Sequence, residues 1–370
     1  MDDFNQQTNQ PIQQSQPIQP TVPSQQTQVP PVQQTQIQSV QTTQPRRASS
    51  FQTVEMLSQR DVDVPADVPS EARLEYISNF LRATKRTGRL MLYAGDQKFE
   101  HLNDDFYGVS SLGPIPKDDN EPEHLFRIAA QGTIGVFAAQ YGLISLYGKS
   151  YPNVNYLVKL NSKSHLVKTA QKDPLSQQLV DIQHVVDLKR NSGLNIVAVG
   201  YTIYVGSEFE HIMFQEAGRI VAEAHKHGLL VVFWIYPRGQ AVKDEKDPHL
   251  IAGATGVGCA LGADFVKVNY PKKEGQASEE LMKEAIAAAG RTRVICSGGS
   301  STDATKFLGQ LHKQIHISGA NGNATGRNVH QKTLAEAVRM CDAISSITLG
   351  GKNTDFAVGV WEGRNQFKMD

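Results

Sequence analysis

From residue 89 onward the chain alternates short, nearly continuous apolar runs with longer stretches in which apolar residues return every three or four positions. The runs cover residues 89–94, 134–138, 155–160, 194–200, 229–236, 265–270 and 294–297. Runs of this length, apolar on successive residues, predict strands of a parallel sheet buried on both faces. The periodic stretches between them, such as 121–131, 208–226 and 334–345, predict the helices that cover such a sheet. An eighth strand is placed at 322–325, where Gly322-Asn323-Ala324-Thr325 is the least apolar of the set. Eight strand–helix units fit an α/β fold closed as a (β/α)8 TIM barrel. The competing arrangement, an open doubly wound sheet, would carry a Gly-rich dinucleotide fingerprint after its first strand. Gly95-Asp96-Gln97-Lys98 is not one.

The amino end is of another kind. Residues 1–66 are mostly Gln, Pro, Thr and Ser with few apolar side chains, and such a segment cannot bury enough surface to offset its ordering entropy. It is expected to be a disordered tail, with the barrel domain spanning 67–370. Within the tail, Arg46-Arg47-Ala48-Ser49 sets a basic pair before a serine, a pattern open to phosphorylation. The whole chain balances 37 Lys and Arg against 37 Asp and Glu, so net charge gives no reason to expect nucleic acid or an anionic membrane as partner. Cys259, Cys296 and Cys341 form neither a CxxC pair nor a zinc-type spacing, which fits a reducing, cytoplasmic setting. No apolar run approaches the roughly 20 residues a membrane helix needs, and no apolar leader opens the chain.

In a barrel of this kind the reacting groups stand at the C-terminal ends of the strands. The polar residues placed there are Asp96 after the first strand, Lys159 on the third, Trp234 and Tyr236 on the fifth and Lys267 on the sixth. Side chains alternate across a strand. In Asp264-Phe265-Val266-Lys267-Val268 the valines suit the helix-covered outside, so Lys267 points into the barrel near its rim. A poorly solvated ammonium has a lowered pKa and yields a neutral amine nucleophile. The structural alternative is a lysine held by a carboxylate, with Asp96 as the candidate partner. Lys159, in phase with Leu157 and Asn161, also faces inward and is the rival nucleophile. Trp234 and Tyr236 share a face beside the sixth strand. A phenol there can move protons next to an imine, whereas Trp234 alone reads as core filling. After the seventh and eighth strands come Ser297-Gly298-Gly299 and Gly326-Arg327-Asn328, where such barrels bind phosphate. The amides of a Gly-rich turn approach an anion, and Arg327 adds a forked cation. Glu100-His101 offers metal-type ligands, but no HxH or HExxH spacing accompanies them, so neither a metal nor a cofactor is expected.

Several segments, taken in order, resemble the archaeal-type class I fructose-bisphosphate aldolases, a family also found in bacteria. They are Gly95-Asp96-Gln97-Lys98-Phe99-Glu100-His101, Leu157-Val158-Lys159-Leu160-Asn161, Ala198-Val199-Gly200-Tyr201-Thr202-Ile203-Tyr204, Trp234-Ile235-Tyr236-Pro237-Arg238-Gly239, Gly262-Ala263-Asp264-Phe265-Val266-Lys267-Val268, Ser297-Gly298-Gly299 and Gly326-Arg327-Asn328. The resemblance runs from about Leu90 to Ser346. It implies that Lys267 forms a Schiff base with a ketone phosphate, that Tyr236 is the acid/base residue, that Asp96 lies beside the imine and that Trp234 borders the substrate. It implies that Ser297, Gly298, Gly299, Gly326 and Arg327 hold the phosphate of dihydroxyacetone phosphate. It also implies ring-like homo-oligomers, often pentamer-based, with sugar phosphates as the small-molecule partners.

Two departures bear on the substrate. Many relatives carry Asp-His-Gly where this chain has Asp96-Gln97-Lys98, and an apolar strand stands where this chain has Gly322-Asn323-Ala324-Thr325. The family also holds a sugar-like synthase of aromatic amino-acid biosynthesis and a thiolase acting on a signalling molecule. The expected reaction is the reversible cleavage of fructose 1,6-bisphosphate to dihydroxyacetone phosphate and glyceraldehyde 3-phosphate. The alternatives are a Schiff-base aldolase or thiolase acting on another phosphorylated ketone, and a catalytically silent barrel that serves as a scaffold for the tail.

Overall fold

The computed structural model describes residues 54–164 and 172–369; the readings made on residues 1–53, the Ser49 stretch among them, lie outside these. Eight parallel strands close on themselves: β1 (Leu90–Ala94), β2 (Val136–Gln140), β3 (Tyr156–Lys159), β4 (Ile196–Val205), β5 (Leu230–Pro237), β6 (Phe265–Val268), β7 (Arg293–Ser297) and β8 (Gly322–Thr325). Each pairs with its neighbours in sequence, and β1 pairs with β8 to seal the ring, Leu90 opposite Gly322 and Tyr93 opposite Thr325. The strand alternation predicted from the sequence is visible in the two cores. Leu92, Val136, Ala198, Val232, Phe265 and Ile295 fill the barrel interior. Met91, Phe137, Val199, Val231, Val266, Val268 and Val294 meet the helices outside.

Most strand boundaries differ from the apolar runs by one or two residues and one by five, and three of the differences have a visible cause. β2 starts two residues later, at Val136, because pairing with β1 begins with Leu92 opposite Val136. β4 runs on to Val205, since Tyr201 to Val205 keep pairing with β5 up to Pro237. β6 stops at Val268: the side chain of Asn269 is engaged by Ser297, and Pro271 has no amide to continue a ladder. The polar β8 is explained by its outward neighbour. Asn323 Nδ2 donates to Thr325 Oγ1 at 2.8 Å, and its Oδ1 accepts from Thr348 Oγ1 at 2.8 Å, at the end of the helix Leu334–Thr348. A buried polar group with its bonds made costs little, so the strand tolerates Asn where an apolar residue was expected.

Helix α1 (Arg73–Ala83) closes the N-terminal end of the barrel. Phe80 stacks on Phe265 with ring centroids 6.1 Å apart, and the Arg293 guanidinium lies 4.4 Å from the Phe80 centroid. Tyr76 donates to Asp264 Oδ1, while Asp264 Oδ2 accepts from Val231 N at 2.7 Å and from His225 Nε2 at 3.3 Å. His225 Nδ1 in turn meets Asp67 Oδ2 at 2.8 Å. Residues 57–66, on the tail side of a boundary drawn at 66, also lie against this end. Val62 is buried in the cluster that holds Tyr76 and Phe80. The Leu57 amide donates to Arg86 O at 2.6 Å, and the Leu57 carbonyl accepts from Arg86 Nε at 3.0 Å.

Candidate active site

The opposite, C-terminal end gathers the polar residues. Trp234 on β5 stands level with Lys267 on β6, and both point inward by the same alternation that sends Val266 and Val268 out. Lys267 is only 7 % exposed. Its Nζ lies 5.1 Å from the Trp234 ring centroid, and it has no ion-pair or hydrogen-bond partner among the described residues. Burial lowers its pKa from the ordinary lysine value; Asp96 and Glu100 pull the other way, and the charges of Lys159 and Arg327 reinforce burial. Lys159 sits over the same indole, its Nζ 5.0 Å from the centroid. Its situation is otherwise the reverse: Nζ meets Glu100 Oε1 at 3.0 Å, Asn161 O at 3.0 Å and Asp96 Oδ2 at 3.7 Å. Two inward lysines therefore share one aromatic floor, one neutralised by carboxylates and the other left without a partner.

Asp96 is buried, and neither of its carboxylate oxygens has a hydrogen-bond partner among the described residues. The charge nearest to it is the Lys159 ammonium, 3.7 Å from Oδ2. Tyr236 follows Trp234 by two on β5. Burial, and then Glu100 and Asp96, push its phenol well above the ordinary tyrosine range, so it rests protonated. Tyr204, level with Tyr236 on β4, is raised for the same leading reason. Arg238 caps this corner, 5.6 Å from the Tyr204 ring centroid and 5.9 Å from that of Tyr236. Its guanidinium is held in a fork by Glu245, at 2.8 and 2.9 Å.

The loops after β7 and β8 are laced together by Asn328. Its Nδ2 donates to Gly298 O at 3.0 Å and Ser300 O at 3.1 Å, and its Oδ1 accepts from Thr302 N at 3.0 Å. Gly299 has φ +69°, and a Cβ on Gly326 would come within 2.9 Å of the Ala94 backbone carbonyl as well as against the Gln97 side chain, so both turns favour glycine. Gln97 is placed in turn by His330, whose Nε2 meets Gln97 Oε1 at 3.1 Å and whose Nδ1 meets Asp119 Oδ2 at 2.8 Å. Burial holds the His330 imidazole neutral, with its pKa pushed down to about 3, and lifts Asp119 to about 8. Arg327 projects into the cavity, with Nε 3.8 Å from Asp105 Oδ2 and no hydrogen bond to that nitrogen.

Asp96, Tyr236, Lys267, Ser297, Gly298, Gly299, Gly326 and Arg327 line one cavity, as the strand-end reasoning placed them. Trp234 does not line it; the indole is 1 % exposed and lies beneath the two lysines. The same cavity also takes Glu100, Tyr204, Arg238 and Asn269, to which the sequence reasoning assigned no substrate role. The signal was available for Arg238 and Tyr204: Arg238 continues the inward phase of Tyr236, and the apolar run of β4 extends past Gly200 to Tyr204. Glu100 lies on a one-turn helix, Gln97–Glu100, whose direction no strand periodicity reveals. Among the described residues no group of three His, Cys, Asp or Glu side chains is disposed to hold a metal, and no helix is long and apolar enough to cross a membrane.

An unpaired amine desolvated at the rim of a parallel barrel, beside an anion-type pair of loops, is the equipment of an enzyme that works on carbonyl compounds through a lysine. Residues 90–332 match the family described as DeoC/LacD family aldolase. The fructose-bisphosphate aldolase/6-deoxy-5-ketofructose 1-phosphate synthase of Methanocaldococcus jannaschii is 60 % identical over 310 residues, covering 84 % of this chain and 97 % of that protein. The solved fructose-bisphosphate aldolase of Slackia heliotrinireducens superposes with a TM-score of 0.82 at 56 % identity, over 85 % of this chain and 98 % of its own. An archaeal fructose-1,6-bisphosphate aldolase, solved with its catalytic Lys covalently bound to the carbinolamine intermediate of the substrate, superposes at 0.63 with 31 % identity, over 74 % of this chain and 99 % of its own. The chain belongs to the DeoC/LacD aldolase family, among its Schiff-base-forming lyases.

Proposed function

We propose that the chain reversibly cleaves fructose 1,6-bisphosphate to dihydroxyacetone phosphate and glyceraldehyde 3-phosphate through a Schiff base on Lys267. The observation that carries this reading is the contrast between the two inward lysines: Lys267 is buried without a partner, while Lys159 is bound by Glu100 and Asp96. The neutral Nζ adds to the C2 carbonyl, and loss of water from the carbinolamine gives a protonated imine. That cation accepts the electron pair of the breaking C3–C4 bond, so no metal is required as electron sink. The phenol of Tyr236 gives its proton to the hydroxide that leaves the carbinolamine, and the resulting phenolate takes the C4 hydroxyl proton as C3–C4 breaks; addition runs the transfers backward. The enamine then takes at C3 the proton that Tyr236 received, and water adds to the imine, returning a proton to Tyr236 as dihydroxyacetone phosphate and the free amine are released. Asp96, with two unsatisfied oxygens beside the amine, is suited to guide the gain and loss of water. The Ser297–Gly299 and Gly326–Arg327 turns hold the C1 phosphate. Borohydride with dihydroxyacetone phosphate is expected to leave an adduct that peptide mass mapping places on Lys267. Lys267→Met is expected to remove both adduct and turnover from a folded protein. An adduct on Lys159 overturns the assignment.

A second product is favoured by the name of the Methanocaldococcus relative. Breaking C3–C4 of 6-deoxy-5-ketofructose 1-phosphate yields dihydroxyacetone phosphate and 2-oxopropanal. The same Lys267 enamine would therefore serve, with an uncharged acceptor in place of a phosphorylated one. Condensation assays with each aldehyde separate the two.

A further inference from the structure

Gln97 follows Asp96 on the cavity wall. Its amide lies against Gly326, where an added Cβ would run into Oε1 and Cδ. The same Oε1 meets His330 Nε2 at 3.1 Å. The amide nitrogen, with two hydrogens to give, has no hydrogen-bond partner among the described residues. The last torsion of a glutamine is broad, so an amide beside a glycine turn keeps one orientation only if something holds it. Here the hold comes from behind. His330 is 0 % and Asp119 1 % exposed, and they meet through Nδ1 at 2.8 Å. Phe106, also buried, stacks on the imidazole with ring centroids 4.5 Å apart. Lys98 fixes Phe106 in turn, its Nζ 4.1 Å from the ring centroid and donating to Asn120 O at 3.2 Å. Burying an imidazole and a carboxylate costs stability that an apolar pair in the same place would not. Of the hydrogen bonds these two side chains make among the described residues, the one that reaches the cavity wall goes to Gln97.

We propose that Gln97 is a specificity residue for phosphorylated ketones, its Nε2 donating to the C1 phosphate, and that His330 and Asp119 are positioning residues that fix its amide. The inference rests on the Schiff-base reading, which brings the C1 phosphate to the Gly326–Arg327 turn. An amide lying against Gly326 reaches an anion seated there. It adds a donor of fixed direction to the cation of Arg327, and a hydrogen bond to a charged acceptor is about twice as strong as one between neutral groups. His330 and Asp119 stand outside the cavity lining and act through Gln97.

The test is borohydride trapping of Lys267 at rising concentrations of dihydroxyacetone phosphate and of dihydroxyacetone, which offers the same carbonyl without the phosphate. Gln97→Met keeps the length of the side chain and removes the donor. It is expected to raise the half-trapping concentration of the phosphate ester about tenfold and to leave dihydroxyacetone within about twofold. His330→Leu is expected to show the same selective loss, and His330→Gln, whose amide reaches the Gln97 oxygen, to recover most of it. The double variant Gln97→Met with His330→Leu should lose no more than either alone. Equal losses for both ketones in Gln97→Met, or no loss, overturn the inference, whether or not His330→Leu folds. A selective loss in Gln97→Met with none in a folded His330→Leu overturns the positioning role. With a wild-type adduct on Lys267, these outcomes overturn the Gln97 inference alone. Absence of any wild-type adduct overturns the Schiff-base reading and this inference with it.

Discussion

Lys267 and Lys159 have the same inward phase and the same indole beneath them, and differ only in what surrounds the ammonium. Strand parity exposes both to a reader of the sequence. It cannot separate them, because the deciding carboxylate, Glu100, comes from a helical turn with no period of two. The separation predicts a pH effect. Burial lowers the pKa of Lys267 and Asp96 raises it. Removing that carboxylate in Asp96→Asn therefore lowers the pKa further, and the acidic limb for adduct formation should move to lower pH. The pH dependence of the borohydride-trapped adduct reports this even if Asp96→Asn slows the later steps. A limb that moves upward would contradict the electrostatics. Arg327 gives a prediction of another kind. Arg327→Ala is expected to weaken binding of dihydroxyacetone phosphate by about 2 kcal/mol, roughly thirtyfold in KM. Unphosphorylated dihydroxyacetone should lose little. Equal losses for both would make Arg327 structural.

At the scale of elements, the seven apolar strands are legible because each is buried on both faces and reads as a continuous run. β8 is legible only by counting, since its stability comes from Asn323 bonding to Thr325 and Thr348, a contact across 25 residues that no local pattern contains. The start of the folded region is hidden for the opposite reason. The isolated apolar residues Leu57 and Val62 look like tail composition, yet they pack on the barrel end that α1 closes. This sets apart two shortened chains. One beginning at Val54 should melt with the full-length protein. One beginning at Val68 loses the Val62 burial, the Leu57–Arg86 bonds and Asp67. It should be less stable by about 3 kcal/mol, and its melting temperature lower by roughly 5–10 °C. Calorimetry of both decides where the folded unit starts, and identical melting would assign residues 54–67 to the tail.

Across the whole molecule, the two ends of the barrel divide the work. The residues of the candidate site crowd the C-terminal rim, and the N-terminal end carries a chain of bonds from buried Tyr76 through Asp264 and His225 to the exposed Asp67. Such a division predicts that damage at the N-terminal end shows in stability and not in turnover. His225 is the place to test it. Burial works against its charged form, but the bonds and charges of Asp264 and Asp67 prevail, and its pKa is raised above the ordinary value. A histidine whose folded pKa exceeds its unfolded one contributes stability that is full below the unfolded value, near 6.5, and is lost as pH rises through the folded value. His225→Gln should therefore cost about 3 kcal/mol at pH 6, with a smaller loss at pH 9. Urea midpoints of wild type and variant at the two pH values measure the difference, while kcat at 25 °C should stay near wild type because the variant lies at the end of the barrel away from Lys267. A loss of the same size at both pH values would mean that the imidazole is neutral in the folded chain. A large fall in kcat without loss of stability would mean that the two ends are coupled.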